Sequence, residues 1–190
     1  MMFCSVLLMG VIVAAGPTGK VDDFRLRDAQ GKEHTIKNWR GHKAVVLVFL
    51  NPECPVSNGY APELQRLRRA FPEKDVLLYG VYCDPDLTAD QVTKHAKEYG
   101  LNSPLLLDPQ QKLAAATGVR KSPEAVLLTP DGQVRYRGRI DDRYTPDGKR
   151  RQEPRRRDLE EALREFLAGK AVTVAETPVF GCPLPPAASK

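Results

Sequence analysis

Uniformly apolar runs alternate along this chain with segments whose apolar residues recur at helical spacing. The runs Ala44–Leu50 and Val76–Tyr82 are apolar at nearly every position, which predicts strands buried on both faces of a parallel or mixed sheet. Between them, the apolar spacing predicts a helix from near Pro55 to Ala70, and Pro72 stops it. The local order is therefore strand, loop, helix, strand.

The same alternation continues along the rest of the chain. Thr88 and Gln91 have the spacing of a capping box and predict a helix that runs through Tyr99 and stops at Gly100. The other predicted elements are a hairpin at 24–27 and 34–36, a strand at 104–107, a helix at 110–117, a hairpin at 125–128 and 134–137, and a helix at 157–168. These elements predict an α/β fold in which helices flank a mixed central sheet, with a hairpin at its N-terminal end.

Length and composition agree with one globular domain. The chain has 190 residues, of which 42% are hydrophobic and 28% charged, and these values exclude a multi-span membrane protein or wholesale disorder. Residues 1–16 have the apolar length and small-residue ending of a signal peptide or N-terminal anchor, which predicts export, to the periplasm or elsewhere, and possible membrane association. We expect the domain at 21–168 and an extended tail, rich in Pro and Ala and containing Cys182, at 169–190.

The formal net charge of +5 is concentrated in one basic run at 149–157. This run contains no interleaved aromatic residues, so it does not predict nucleic-acid binding. A solvated basic loop that leads into the last helix is the favoured interpretation, and an acidic partner or a membrane surface is the alternative. The acids and arginines at 139–144 are likewise predicted to form a solvated loop.

The chemistry of the chain centres on Cys54. It follows the strand Ala44–Leu50 after a short polar turn and precedes Pro55, the residue type favoured at the first position of a helix. Unpaired backbone N–H groups and the helix dipole stabilise a thiolate at such a position, where cysteine pKa values fall from about 8.5 toward roughly 3.5 to 7.5. A thiolate is the nucleophile in disulfide exchange and in peroxide reduction.

The strand at 45–49 and the residues 51–57 that follow it, Asn-Pro-Glu-Cys-Pro-Val-Ser, resemble the active-site strand and loop of thioredoxin-like redoxins, the superfamily of alkyl hydroperoxide reductases and thiol-disulfide oxidoreductases. The resemblance spans roughly residues 21–168 and implies a thioredoxin-like fold. Residues 118–123 are placed like the family's cis-proline loop, with Pro123 as that proline. The resemblance implies that Pro55, Ser122 and Pro123 contact a peptide substrate.

The chain departs from the family pattern at two places. The second cysteine of a Cys-x-x-Cys motif is Ser57 here, so Ser57 either donates a hydrogen bond to the thiolate or serves only at the start of the helix. The Pro and Thr of the peroxiredoxin pattern Pro-x-x-x-Thr-x-x-Cys are replaced by Leu47 and Asn51. The leading hypothesis is a thiol-disulfide oxidoreductase, and the alternatives are a peroxiredoxin-like peroxidase and a non-catalytic binding module.

Two further cysteines can resolve an oxidised Cys54. Cys83 ends the strand Val76–Tyr82 at the sheet edge where Cys54 is expected, and Cys182 lies in the tail. A structural bridge between Cys83 and Cys182 is a third possibility in an exported protein, and free thiols are a fourth. Pairing cannot be deduced from sequence. An external thiol can also act as the resolver.

No metal or other cofactor is predicted. His34, His42 and His95 are scattered without the spacing of metal ligands and are interpreted as surface histidines, and the position four after Cys54 is Asn58 rather than a cysteine. The expected partners are protein thiols or disulfides, or a small peroxide, together with an external reductant.

Overall fold

A seven-stranded mixed sheet forms the centre of the molecule in the computed structural model, which describes residues 17, 19–145 and 147–187. The strands are β1 (Arg25–Asp28), β2 (Glu33–Thr35), β3 (Ala44–Leu50), β4 (Val76–Tyr82), β5 (Leu105–Leu107), β6 (Lys121–Ser122), β7 (Glu124–Leu128), β8 (Val134–Gly138) and β9 (Cys182–Pro183). The central sheet has the order β2-β1-β5-β4-β3-β7-β8, and β6 pairs with β9 separately. The predicted α/β fold with an N-terminal hairpin is confirmed.

The register of the two central strands brings the functional residues to one edge. β3 and β4 run parallel, with Leu50 opposite Tyr82, so Cys54 and Cys83 follow strand ends that lie side by side. β7 is antiparallel to β3, with Glu124 opposite Phe49, so β7 starts at the same edge. The prediction that Cys83 lies at the edge of Cys54 is therefore confirmed.

The helices are α1 (Pro55–Gly59), α2 (Ala61–Ala70), α3 (Ala89–Tyr99), α4 (Lys112–Thr117) and α5 (Asp158–Leu167), and a 3₁₀ turn covers Ile36–Trp39. The capping box of Thr88 and Gln91 is present at the start of α3. The predicted helix at 55–70 is divided at Tyr60 because Pro62 has no N–H to continue the hydrogen-bond ladder.

The alternating side chains of β3 separate two apolar cores. On one face, Val46 and Val48 pack in a cluster with residues of α2, α3 and α5. On the other face, Leu47 and Phe49 pack in a cluster with Trp39 and with α4. Burial of β3 on both faces explains its continuous apolar sequence.

Two of the three histidines predicted to lie on the surface are buried. His34 Nε2 lies 2.7 Å from Asp28 Oδ2, and His95 Nδ1 lies 2.8 Å from the hydroxyl of Tyr82. The prediction was wrong for these two because polar partners on neighbouring elements satisfy the rings inside the protein, and a single sequence does not show such partners.

The predicted solvated loop at 139–144 is also mostly buried. Asp141 is fully inaccessible and Arg143 is 7% exposed, and their side chains approach to 3.3 Å. Arg143 and Arg157 also lie 3.6 Å and 3.3 Å from oxygens of the buried Glu63. The acids and arginines thus form ion pairs across the molecule instead of a hydrated loop.

Part of the basic run at 149–157 also forms ion pairs within the protein. Arg151 pairs with Asp142 at 3.1 Å, and Arg156 lies 3.1 Å from Asp158. Arg150 is exposed, as predicted for a solvated loop. Much of the positive charge is therefore compensated internally.

The prediction of a signal peptide or anchor at 1–16 falls outside the described residues. Across residues 17, 19–145 and 147–187, no helix is long and apolar enough to cross a membrane.

Candidate active site

Cys54 is the N-cap residue of α1 and is buried at the edge of the sheet. Its backbone N–H donates to the Asn51 carbonyl at 3.1 Å, and its own carbonyl accepts from the N–H of Asn58 at 3.0 Å. The side chain of Asn51 accepts from the N–H of Glu53 at 2.9 Å. These bonds define a tight turn that delivers the sulfur from the end of β3 to the start of the helix.

Ser57 holds this turn from the position where the usual motif has its second cysteine. Its hydroxyl accepts the N–H of Asn51 at 3.1 Å, and the residue is 2% exposed. The hydrogen bond joins the end of β3 to the first turn of α1. In this structure Ser57 is therefore engaged with the backbone rather than with the sulfur of Cys54.

The predicted cis peptide bond is present between Ser122 and Pro123. Both residues are buried, and the Ser122 carbonyl oxygen lies 3.4 Å from Cys54 Sγ. Pro55, also predicted to contact substrate, is exposed beside Cys54. The structure thus brings Cys54, Pro55, Ser122 and Pro123 together at one edge.

Cys182 forms a disulfide with Cys54 across 128 positions of sequence, with a Cα–Cα distance of 6.1 Å. The strand β9 that carries Cys182 pairs antiparallel with β6, so that Cys182 lies opposite Ser122 and Pro183 opposite Lys121. The tail is therefore seated on the cis-proline loop as an added strand.

Contacts beyond the disulfide hold the tail on both sides of Cys182. Downstream, the N–H of Leu184 donates to Arg120 O at 3.0 Å, and Gln111 Nε2 donates to Pro185 O at 2.6 Å. Upstream, the hydroxyl of Thr177 accepts the N–H of Arg139 at 3.0 Å. The segment between these two groups of contacts crosses the active-site edge.

Thr177 makes several of the hydrogen bonds that hold the tail against the domain. It is buried, and its hydroxyl lies 2.7 Å from the Tyr136 hydroxyl at the edge of the core. Its backbone N–H donates to Arg137 O at 3.2 Å, and Gly138 leaves the space that the Thr177 backbone occupies. The base of the tail is thus part of the domain.

Cys83 is a free cysteine buried in the apolar cluster that also contains Phe49 and Leu106. Burial raises the pKa of its thiol well above the ordinary range, and the negative charge of Asp108 adds to the effect. The side chain amide of Gln111 donates to the Cys83 carbonyl at 3.3 Å. Cys83 therefore reaches the edge but takes no part in the disulfide, and the possible structural bridge between Cys83 and Cys182 is not formed.

A chain of hydrogen bonds through Asn58, His95 and Tyr82, here called the polar relay, lies behind the active-site turn. It was not recognised from the sequence. Asn58 Nδ2 donates to the Pro52 carbonyl at 2.7 Å, and Asn58 Oδ1 lies 2.9 Å from His95 Nε2. Burial lowers the pKa of His95, so the neutral ring is favoured. A neutral His95 with its proton on Nε2 donates to Asn58 and accepts from Tyr82. The relay clamps the turn before Cys54 to α3.

Glu124 is a second residue that the sequence did not single out. One oxygen of its buried carboxylate accepts the N–H groups of Arg120 and Lys121, at 3.1 Å and 3.3 Å. Burial raises the pKa of this carboxyl despite those two bonds. Glu124 fixes the backbone of β6, the strand against which the tail pairs. The sequence signal that could have identified Glu124 is its position directly after Pro123.

Within the part of the chain that the structure describes, no group of three or more His, Cys, Asp or Glu side chains has the geometry of a metal site.

The sequence of this chain is similar to those of known thiol-based proteins. The AhpC/TSA family matches residues 17–137 of the chain. The thiol-disulfide oxidoreductase ResA of Geobacillus thermodenitrificans is 32% identical over 124 residues, which are 65% of this chain and 68% of that protein.

Solved structures share the fold. An uncharacterized conserved protein from Geobacillus kaustophilus superimposes with a TM-score of 0.78 at 24% identity, covering 93% of this chain and 95% of that one. A secreted disulfide oxidoreductase of Mycobacterium tuberculosis superimposes with a TM-score of 0.53 at 21% identity, covering 77% of this chain and 95% of that one. At these identities the likeness concerns the fold alone.

Proposed function

Because this chain belongs to the AhpC/TSA family, we propose that it is a thiol-disulfide oxidoreductase in which Cys54 is the nucleophile and Cys182 the resolving cysteine. The observation that carries the proposal is the disulfide between the helix-capping Cys54 and the tail Cys182 beside the cis-proline loop. Relatives named thiol-disulfide oxidoreductase ResA support the same chemistry.

The reaction balances with two sulfur exchanges. The Cys54 thiolate attacks one sulfur of a substrate disulfide, forms a mixed disulfide and releases the other substrate sulfur as a thiolate. The Cys182 thiolate then attacks Cys54 Sγ, forms the Cys54–Cys182 disulfide and releases the second substrate thiolate. The substrate gains two electrons and the protein loses two. An external dithiol returns the protein to the reduced state, and the same steps in reverse oxidise a substrate dithiol.

The positions of the two cysteines favour these roles. Cys54 is buried at a helix N-terminus, where backbone N–H groups without intrahelical acceptors stabilise a thiolate. Cys182 is half-buried on a tail that Thr177 ties to the domain, so its sulfur remains at high effective concentration near Cys54. Cys83 fits the role of resolver less well, because its thiol is buried and its pKa is raised.

The alternative functions have less support at the site. In a peroxiredoxin, a threonine hydroxyl would stand at position 51, where this chain has Asn51 with its side chain oxygen bonded to the N–H of Glu53. A non-catalytic binding module does not require a disulfide between Cys54 and the tail.

We also propose that the protein works outside the cytoplasm, on protein thiols or disulfides. The apolar segment at 1–16 supports export, and a disulfide such as that of Cys54 persists in oxidising compartments. The structural neighbours include a secreted disulfide oxidoreductase and an exposed lipoprotein thioredoxin.

A trapping experiment tests the assignment of the cysteines. The full chain is reduced, freed of reductant and mixed with insulin, and the products are alkylated and analysed by mass spectrometry. The wild type should end with a Cys54–Cys182 disulfide and reduced insulin. The Cys182→Ser variant should retain an insulin chain bonded to Cys54, and Cys54→Ser should give no transfer.

Cys83→Ala is the matched control and should behave as the wild type, because this thiol is buried and takes no part in the disulfide. Undiminished insulin reduction by Cys54→Ser would refute the proposed function. Loss of insulin reduction in Cys83→Ala without loss in Cys182→Ser would reassign the resolver. Parallel measurement of hydrogen peroxide consumption tests the peroxidase alternative.

A further inference from the structure

The tail shows what kind of polypeptide fits the edge beside Cys54. We propose that residues 181–184, Gly-Cys-Pro-Leu, are an internal mimic of the substrate, and that the protein prefers substrate cysteines preceded by glycine and followed two positions later by an apolar side chain. This inference rests on the proposed function and specifies the substrate of the same site.

The backbone of the tail is recognised through groups that any extended peptide possesses. β9 pairs with β6, and the N–H of Leu184 donates to Arg120 O at 3.0 Å. Recognition by strand addition takes its affinity from main-chain hydrogen bonds and its specificity from the spaces left for side chains. A substrate segment that presents a cysteine to Cys54 can therefore occupy the same edge in the same register.

The position before the cysteine has no space for a side chain. A Cβ added to Gly181 would overlap the Ser122 carbonyl oxygen and would lie 2.9 Å from the Ser122 carbonyl carbon. Those atoms are backbone of a fully buried residue that follows the segment held by Glu124, so they have little freedom to move. The φ angle of Gly181 is not in the left-handed region, so the restriction is steric. Glycine is therefore the residue that this position favours.

The two positions after the cysteine differ from each other. Pro183 is exposed, so the structure places no restriction on the side chain there. Leu184 is half-buried and packs against the apolar cluster that contains Val119 and Cys83. An apolar side chain two positions after the cysteine thus gains burial, and a polar one loses it.

The tail and a substrate cannot occupy β6 together, because both need the same backbone groups. The tail can leave β6 while Thr177 remains attached, since the contacts beyond Thr177 are separate from that anchor. Departure of β9 opens the edge for the substrate. After the substrate strand leaves β6 with its sulfur still bonded to Cys54, β9 returns and brings Cys182 back to resolve the mixed disulfide.

Peptide disulfides test the preference. A heptapeptide with the sequence of residues 179–185, Val-Phe-Gly-Cys-Pro-Leu-Pro, is joined through its cysteine to thionitrobenzoate and mixed with the reduced full chain. Attack by Cys54 on the peptide sulfur releases coloured thionitrobenzoate, which reports the second-order rate. Each rate is divided by the rate of the same peptide with glutathione, which corrects for intrinsic reactivity.

Three variant peptides probe the individual positions. Replacing the glycine by alanine should lower the normalised rate about tenfold because of the overlap with Ser122. Replacing the leucine by serine should lower it about fivefold through lost burial. Replacing the proline by alanine should leave it within about twofold, since that position is solvent-exposed.

The outcomes separate the two proposals. Equal normalised rates for the parent and the alanine peptide would overturn the substrate preference, while the reaction itself would still support the proposed function. Absence of release from every peptide by reduced protein would contradict the proposed function and the preference with it.

Discussion

Substitution of Gly181 by alanine should make the Cys54–Cys182 disulfide easier to reduce. The added methyl group overlaps the Ser122 carbonyl only when the tail is seated on β6, which is the arrangement that the disulfide requires. Overpacking of this kind costs about 1 to 3 kcal/mol, and contact with backbone places the cost near the upper end. The reduced protein, whose tail can leave β6, avoids the overlap.

A second effect opposes the steric overlap, and its free energy must be subtracted from the cost of the overlap. Alanine restricts the free tail more than glycine does, which favours the seated state by about 0.4 to 1 kcal/mol. The overlap is the larger effect, and the net destabilisation of the oxidised form is about 2 kcal/mol. This corresponds to a change of about thirtyfold in the exchange equilibrium and to a reduction potential raised by about 40 mV.

Equilibration in glutathione redox buffers measures this change directly. The oxidised fraction is counted after alkylation and mass spectrometry, and the midpoint of Gly181→Ala is compared with that of the wild type. Ala187→Ser, an exposed position beyond these tail contacts, is the control and should leave the midpoint unchanged. A Gly181→Ala midpoint equal to that of the control would refute the steric reasoning.

Three further substitutions test the framework of the site. Asn58→Ala removes the bonds to Pro52 and His95 and should lower the free energy of unfolding by about 1 to 3 kcal/mol, measured in urea at pH 7, and slow insulin reduction. Glu124→Gln keeps an oxygen for both N–H donors but carries no charge. The raised folded-state pKa of Glu124 means that the wild type loses stability as pH rises through that pKa, so the stability of Glu124→Gln relative to the wild type should increase from pH 4 to pH 8. Glu63→Gln removes the buried charge that faces Arg66, Arg143 and Arg157 and should cost about 3 to 5 kcal/mol in urea unfolding.

Each of these substitutions has a clear opposing result. Unchanged stability and activity of Asn58→Ala would show that the turn before Cys54 is held without the relay. A pH-independent difference between Glu124→Gln and the wild type would contradict the raised pKa. Arg150→Ala is the control for Glu63→Gln, because Arg150 is exposed, and it should change the stability by less than about 0.5 kcal/mol. Equal effects of the two would mean that the Glu63 ion pairs do not stabilise the fold.

The sheet was predictable because its central strands have a distinctive composition. Ala44–Leu50 and Val76–Tyr82 are buried on both faces, so nearly every position is apolar and the runs stand out in the sequence. The capping box at Thr88 was equally clear, because capping is a local interaction between residues close in sequence. The break at Tyr60 was missed, although Pro62 was its available local signal.

The histidines and arginines show the limit of local patterns. Nothing near His95 in the sequence indicates that Tyr82 and Asn58 satisfy its two nitrogens, since these residues come from a strand and from a different helix. The ion pairs of Glu63 with Arg143 and Arg157 likewise join distant segments. A polar residue is buried or solvated according to its partners in space.

The fold class and the position of Cys54 at a helix start could be predicted from local patterns, because strands and helix caps depend on neighbours along the chain. The cis-proline loop at Pro123 was located by the resemblance to thioredoxin-like redoxins. The partner of Cys54 became known from the three-dimensional structure. Cys83 and Cys182 were both compatible with the pattern, and a disulfide requires a short Cα–Cα distance that chain order does not specify. The docking of the tail on β6 supplies that distance for Cys182, while the apolar core encloses Cys83.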